Sequence, residues 1–372
     1  MLVKKRIIFL RETFLVSWCT TKQPTTKPLT NFFRRIRYHL LEKNKTGKYF
    51  KYAIGEIFLV VIGILIALQI NNWNENRNIL QDIEETKIAL KKELEKNIVI
   101  TSRFVSNGYI LSNALKDVKA NKEFNNLEST NSIYNEFWLF DTFVYEMTND
   151  NLNEFISLEK SLSIRDKSFL KLAKELKDGM KERTIWEAKA TDLSLQRIKE
   201  FSDELPWFYN KDSLSNKLRN DYIKNNPFFK NKAIHYLNFQ LNENVFYASE
   251  IRNNALMLLW KLECIENKDI DLSVFLNKRG LRSFNQSECN SSTNIIPEYL
   301  GFRNMFVVYN HSSETKVFQL LNDNQQIIQN TTLETNEYIN LQFGDNEYIQ
   351  LDENCERIYT PVRNGFLIIE ER

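Results

Sequence analysis

Three histidines and four cysteines are the side chains of this 372-residue chain that could hold a soft metal or pair a thiol with an imidazole. Their spacing suits neither task. His39, His235 and His311 stand far apart, and Cys19, Cys264, Cys289 and Cys355 form no C-x-x-C pair. No H-E-x-x-H occurs. A metal centre or a Cys–His dyad would have to be assembled from Cys264, Cys289, Cys355, His235 and His311 by tertiary contacts alone. The glycines exclude more. They stand at 47, 55, 63, 108, 179, 280, 301, 344 and 365, never closer than eight residues. A dinucleotide G-x-G-x-x-G loop, a Walker A loop and a G-x-S-x-G elbow each need two glycines within about five positions, so none is present. Carboxylates are plentiful, but nothing in the order of residues marks a pair for acid–base work. The chain reads as a non-enzyme: no catalytic, cofactor-binding or metal-binding residue is expected, and no cofactor. Sparse cysteine use rules out a disulfide scaffold. The three cysteines after residue 260 allow one bridge with one thiol left over, and Cys264 and Cys289 are the nearest pair.

What does stand out is AIGEIFLVVIGILIALQINNWNENR, residues 53–77. Every residue from Ile57 to Leu68 is apolar or glycine. Residues 52–70 would span about 28 Å as a helix, close to the hydrocarbon thickness of a bilayer. A helix at the surface of a soluble domain would show a polar face, and this one shows none. Glu56 sits in the first turn, at interface depth, where headgroup water and Lys48 and Lys51 are in reach. Gly63 and Ala67 make a small-xxx-small pair, with Gly55 two turns earlier on nearly the same face. That permits close helix packing, so the candidate partners are the lipid bilayer and a second copy of the chain held through the transmembrane or juxtamembrane helix. Trp73 fits an interfacial anchor, and Asn71, Asn72 and Asn74 mark the exit into water.

Charge sets the orientation. Residues 1–51 hold thirteen Lys or Arg against Glu12 and Glu42, a net +11, and the whole chain is +2, so everything after residue 51 sums to −9. The positive-inside rule puts the N-terminus in the cytoplasm and the rest outside the inner membrane, in the periplasm. The basic cluster is explained by topology and anionic lipid, and the acidic remainder argues against nucleic acid as a ligand. MLVKKRIIFLRETFLVSWCT does not read as a cleaved signal: Arg11 and Glu12 break its apolar stretch, and bulky Trp18 precedes Cys19.

NFFRRIRYHLLEKNKTGKYFKYAIGEIFLVVIGILIALQINNWNENR, residues 31–77, resembles the N-terminal signature of a large family of membrane proteins from flavobacteria and related Bacteroidota that carries a domain of unknown function. TFVYEMTNDNLNEFISLEKSLSIRDKSFLKLAKEL resembles the family's next, looser pattern. The family usually has Ser-Gly or Asn-Gly before its Asn-Leu, where this chain has Asn149, Asp150 and Asn151. The resemblance implies a single-pass inner-membrane protein with an outward domain. It carries over no catalytic residue, since no activity is established for the family.

After the anchor, Ile79, Ile83, Leu90, Leu94 and Ile98 fall on one helical stripe with charged neighbours around it. Further helices are expected over 132–146, 152–156, 164–200 with a split near Gly179, 214–224 and 244–267. PWFYN at 206–210 and NPFFKN at 226–231 read as turns that dock aromatic rings. Residues 270–303, rich in Asn and Ser, read as a linker. Then the period changes to two. MFVVYN, KVFQLLND, QQIIQN, YINLQFG, YIQLDE, RIYTPV and GFLIIEE are short strands separated by turn signals. These strands resemble the small β-sandwich of the von Hippel–Lindau type through Phe306, Asn310 and Ser312 and then Gln319–Asp323, a likeness of fold only.

The fold class expected is therefore a membrane-anchored α+β chain: one transmembrane helix, a mostly α-helical outer domain and a small C-terminal antiparallel β-sandwich. Its parts are a disordered extension over 1–30 outside the coherent pattern, a basic cytoplasmic helix over 31–51, the anchor over 52–70, a helical domain over 71–269, the linker over 270–303 and the sandwich over 304–372. The function expected is periplasmic binding or scaffolding of a protein or an envelope polymer near the membrane. The alternative is a sensory or regulatory ectodomain that signals through a separate partner protein.

Overall fold

The stripe of Ile79, Ile83, Leu90, Leu94 and Ile98 runs along helix α1 (Thr46–Lys119) and packs inside the same chain, on helices that come later in sequence. The computed structural model describes residues 35, 38, 46–120, 140, 145–210, 212–266, 270–289, 302, 304–352 and 357–370. The expected extension over 1–30 lies outside the described residues, as do most of the basic helix over 31–51 and most of the helix over 132–146. Tyr145 and Glu146, at the end of that last stretch, are not helical. The chain forms two compact units, Met1–Asn78 and Ile79–Arg372.

In the second unit α1 is followed by α2 (Asp150–Ser157), α3 (Ile164–Lys167), α4 (Leu170–Glu204), α5 (Ser213–Asn225) and α6 (Pro227–Phe239). A π-helical turn (Gln240–Val245) leads into α7 (Phe246–Glu266), and α8 (Leu272–Asn277) follows. Helix α4 passes through Gly179 without the expected split. The break at 226–231 is also not a turn: Pro227 opens α6, and Asn226 caps it by accepting from the Phe228 and Phe229 amides at 2.8 and 3.1 Å. Asn-Pro serves helix starts as well as turns, because proline lacks the amide that a first turn leaves unpaired.

All seven expected strands form, as β3 (Asn304–Asn310), β4 (Lys316–Leu321), β5 (Ile327–Leu333), β6 (Tyr338–Phe343), β7 (Tyr348–Leu351), β8 (Arg357–Thr360) and β9 (Gly365–Ile369). Two more come from the stretch expected as a linker, β1 (Arg282–Ser283) and β2 (Asn285–Ser287). The sheets run β1-β9-β3-β6 and β2-β8-β7-β4-β5. Most pairings are antiparallel, but β9 lies parallel to both β1 and β3. Between β1 and β2 the chain passes from one sheet to the other at Phe284, whose buried ring meets Phe306 and Phe343 edge to face. Buried Leu272, Phe275, Leu276 and Leu281 explain why this stretch is structured: it supplies apolar surface, which its Asn/Ser-rich continuation hides.

Helices and strands share both hydrophobic cores. One core joins Phe104, Val105 and Tyr109 of α1 with rings from α4 and α6 and with Phe306, Phe318, Phe343 and Tyr359 from both sheets. The other joins the α1 stripe, α2, α4, α7 and α8 with Val307, Tyr309 and Phe366. Strand β3 is thus buried on both faces, with alternate residues in alternate cores. Helix α7 lies against β3, and its residues Ile251–Trp260 are all buried.

Gly108 marks the closest approach of α1 to the π-helical turn. A Cβ there would stand 2.6 Å from Val245 Cγ1 and 3.3 Å from Phe302 Cζ. Val245 is branched and cannot swing aside freely. Gly108→Ala gains helix propensity but overpacks the core, and we expect a net loss of about 1–2 kcal/mol by thermal or denaturant unfolding. A neutral or stabilised variant would show that the contact is loose.

Candidate functional site

Two regions have unusual exposure or charge. The first is the apolar part of α1 in the first unit. The helix over Ala53–Lys119 is long and apolar enough to cross a membrane, and no residue of its apolar window is buried. The residues picked from the sequence all lie on this helix. Gly55, Gly63 and Ala67 are exposed, and a Cβ at either glycine would meet nothing within 4 Å. Glu56 is half-buried. Trp73 is exposed, with the Arg77 guanidinium 6.0 Å from its ring centroid.

The second region was not picked from the sequence. Three consecutive polar residues of α7, Arg252, Asn253 and Asn254, are buried where a helix within a core should be apolar. Two of them peg the helix to the first sheet. Asn253 Nδ2 donates to the Met305 carbonyl at 3.0 Å, and Asn254 Oδ1 accepts from Asn340 Nδ2 at 2.6 Å. Arg252 turns the other way, into a cleft of about 450 Å³.

Three elements build that cleft. Helix α1 presents Ser102, Arg103, Ser106 and Asn107, spaced to share one face. The α8–β1 turn brings Arg279, Gly280 and Leu281. Gly280 has φ +79°, its amide reaches the Asn277 carbonyl, and the Leu281 amide reaches the Leu276 carbonyl at 3.2 Å, a Schellman closure that needs glycine at this position. The turn before β9 brings Asn364, at φ +54°.

Arg252 is 1% exposed. Its Nη1 donates to Asn364 Oδ1 at 3.1 Å, and its Nε and Nη2 reach Asn253 Oδ1 only at 3.4 Å. Asn364 is fixed in turn: its amide donates to Tyr109 Oη at 3.0 Å, and that oxygen also accepts from Asn304 Nδ2 at 2.9 Å. Burial pulls the guanidinium below its ordinary value, with Tyr109 acting in the opposite sense. Burial likewise pushes the Tyr109 phenol up, against the hydrogen bond from Asn364.

A second cleft, of about 670 Å³, lies between the π-helical turn and the β6–β7 hairpin and has the opposite charge, through Glu243, Asp345 and Glu347. Among the described residues no group of three His, Cys, Asp or Glu is placed to hold a metal ion. Cys289 is disulfide-bonded, while Cys264 is a free thiol, so the cysteines nearest in sequence are not bridged to each other. Burial, followed by the charge of Glu263, pushes the Cys264 thiol up to about 11, with Lys261 opposing. Few molecules carry a thiolate there at neutral pH, which makes it a poor nucleophile.

The structure does not bring the helix residues chosen from the sequence together with any polar cluster. The signal for the second region was present but faint: an Arg-Asn-Asn triplet just ahead of ALMLLWKLECI, which reads as the wet side of a helix until its cover is known. Comparison with protein-family models, with curated proteins and with solved structures gives no match.

Proposed function

We propose that this chain is a single-pass inner-membrane protein, N-terminus in the cytoplasm, whose Ile79–Arg372 unit binds partners on the periplasmic side and does not catalyse. The observation that carries this reading is the uncovered apolar surface of α1. Ile57, Phe58, Leu59, Val60, Val61, Ile64, Leu65, Ile66 and Leu68 are all exposed. Each such side chain gains about 1.5–3 kcal/mol on leaving water. A bilayer would cover every face of the helix at once, which one partner protein would not. The small residues Gly55, Gly63 and Ala67 leave a shallow seam for a second copy, Glu56 lies at the headgroup level, and Trp73 anchors the far interface.

Two observations independent of the apolar run support the orientation. The basic excess over residues 1–51 is the pattern of a cytoplasmic flank. The Cys289 disulfide suits an oxidising compartment and not the cytosol. In this reading the two sheets act as a β-sandwich of the von Hippel–Lindau type, and with the helices they present one rigid surface to an envelope protein or polymer. The resemblance to the flavobacterial membrane family points the same way.

Topology tests it. A periplasm-active and a cytoplasm-active reporter are fused after Arg77 and, separately, after Arg372. Periplasmic activity at both sites is the expected result. Cytoplasmic activity at either overturns the orientation and removes envelope partners from consideration.

A further inference from the structure

Two arginines among the described residues are buried, and the chain treats them differently. Arg183 meets Glu187 at 2.6 Å and stacks over the Tyr145 ring. Arg279, nearly buried, pairs with Glu95 and Glu263. Lys87, also sheltered, meets Asp166 at 2.8 Å. Arg252 is the most enclosed of these cations, and among the described residues no carboxylate pairs with it. Its partners are two neutral amides, one of them at long range. A guanidinium keeps its proton under all ordinary conditions, so its charge must be compensated from outside the chain or carried at heavy cost.

The cleft in front of Arg252 has the chemistry to supply that compensation. Among the described residues no carboxylate lines it. Ser102 lines it, and its Oγ is buried with no hydrogen-bond partner among the described residues. Arg103 lines it from the exposed side and makes no ion pair among the described residues. Asn107 adds a side-chain amide one turn along, with no hydrogen-bond partner among the described residues. Two cations without counter-charge among the described residues, a hydroxyl and an amide therefore converge from one helix face and one buried position.

We infer that this cleft is an oxyanion-binding site, in which Arg252 seats a phosphate or carboxylate group of a small molecule and Arg103 closes over it. Guanidinium forks match both groups, and two unpaired positive charges favour a dianion such as a phosphate monoester. Ser102 Oγ and the Asn107 amide donate to the remaining oxygens. The inference names a ligand class for the binding unit but does not rest on the membrane reading. The reporter fusions and the experiment below fail separately.

The full-length protein in detergent is titrated with inorganic phosphate, sulfate, acetate and succinate, each against chloride at matched ionic strength, while thermal unfolding is followed. A saturable rise of the midpoint with phosphate is expected. Arg103→Gln, at an exposed position that should not disturb folding, is expected to weaken binding about tenfold, the effect of losing one charge-assisted hydrogen bond. Ser102→Ala should weaken it less. Arg165→Gln, an exposed arginine on α3, should leave it unchanged. Saturation by the carboxylates in place of phosphate, with the same dependence on Arg103, supports the site and assigns its ligand to the carboxylate class. The inference is overturned if no anion gives a saturable shift, or if Arg103→Gln responds like Arg165→Gln. Arg252→Gln should abolish the response, and the Arg103 and Ser102 variants keep the test decisive if that protein does not fold.

Discussion

Glu93→Ala should destabilise the Ile79–Arg372 unit by about 3–5 kcal/mol, although Glu93 sits on a helix among other acids. Its carboxylate is buried and faces the start of α2. One oxygen accepts from the Asn151 backbone amide and from Asn151 Nδ2, both at 3.0 Å, and the other accepts from the Leu152 amide at 3.0 Å. The first turn of any helix leaves amides without partners, and Asn149, at the cap position of α2, makes no side-chain bond to them. Glu93 therefore caps α2 from a different helix, with its negative charge at the positive end of the α2 dipole. One turn along, Asn97 clamps the preceding residue from both sides: its Oδ1 accepts from the Thr148 amide, and its Nδ2 donates to the Thr148 carbonyl at 2.7 Å. Alanine at 93 strands two backbone amides and a side-chain amide inside the protein. Glu93→Gln keeps an acceptor but loses the charge, and should cost roughly half as much. Denaturant unfolding measures both, and hydrogen exchange over 151–155 should accelerate first. A loss under about 1 kcal/mol for the alanine variant would mean that water replaces the carboxylate.

The largest single-residue effect in the strands is expected at Asn310. Its Nδ2 donates to the carbonyls of Glu314 at 2.8 Å and Leu333 at 2.9 Å, and its Oδ1 accepts from the Ser312 amide at 3.1 Å and Ser312 Oγ at 2.7 Å. Its own backbone is also paired, to Glu337 and Asn336. One amide thus ties the β3–β4 turn to the end of β5. Asn310→Ala should cost about 3–5 kcal/mol, since the freed groups are enclosed. The diagnostic variant is Asn310→Asp. It is nearly isosteric, yet it turns a donor into a charged acceptor facing two carbonyls, so it should be at least as damaging as alanine. Ser312→Ala should cost only about 1 kcal/mol. If aspartate were tolerated while alanine was not, shape and not hydrogen bonding would explain the position.

Asn310 and Ser312 also show what the order of residues reveals. They stand out in sequence through the resemblance to a von Hippel–Lindau-type sandwich, at and just after the end of β3, while the strands themselves are legible because β3 to β9 are separated by Asn, Asp and Gly turns whose chemistry is local. Asn322, Asn336, Asn346 and Asn364 lie at or near such turns, and the last three have positive φ. The start of α6 reads as a turn in sequence for an equally local reason, since Asn226-Pro227 fits two structures and only the helix that follows decides. Strands β1 and β2 are too short to show any period. The Arg252 cleft is hidden for a different reason. Its residues come from positions 102 to 364, and nothing in the neighbours of Arg252 tells that α7 is covered all round. Glu93 is similar: in sequence it is one acid among several near Leu90 and Leu94, and only the arrival of α2 gives it a task.

The placement of β3 between two cores has a consequence for biosynthesis. Tyr109 finds its partner amide 255 residues later, at Asn364, and β3 has β9, the last strand among the described residues, as its parallel neighbour. At ~5–20 residues per second, a ribosome takes roughly 13–50 s to make that interval. Throughout it the α1 stripe lacks part of its cover, and β3, once made, lacks its β9 neighbour until residue 365. High contact order of this kind slows folding and leaves nascent chains prone to aggregate. The chain should therefore depend on a holding chaperone until β9 emerges, and truncation even a few residues before Gly365 should yield an insoluble product instead of a smaller folded one.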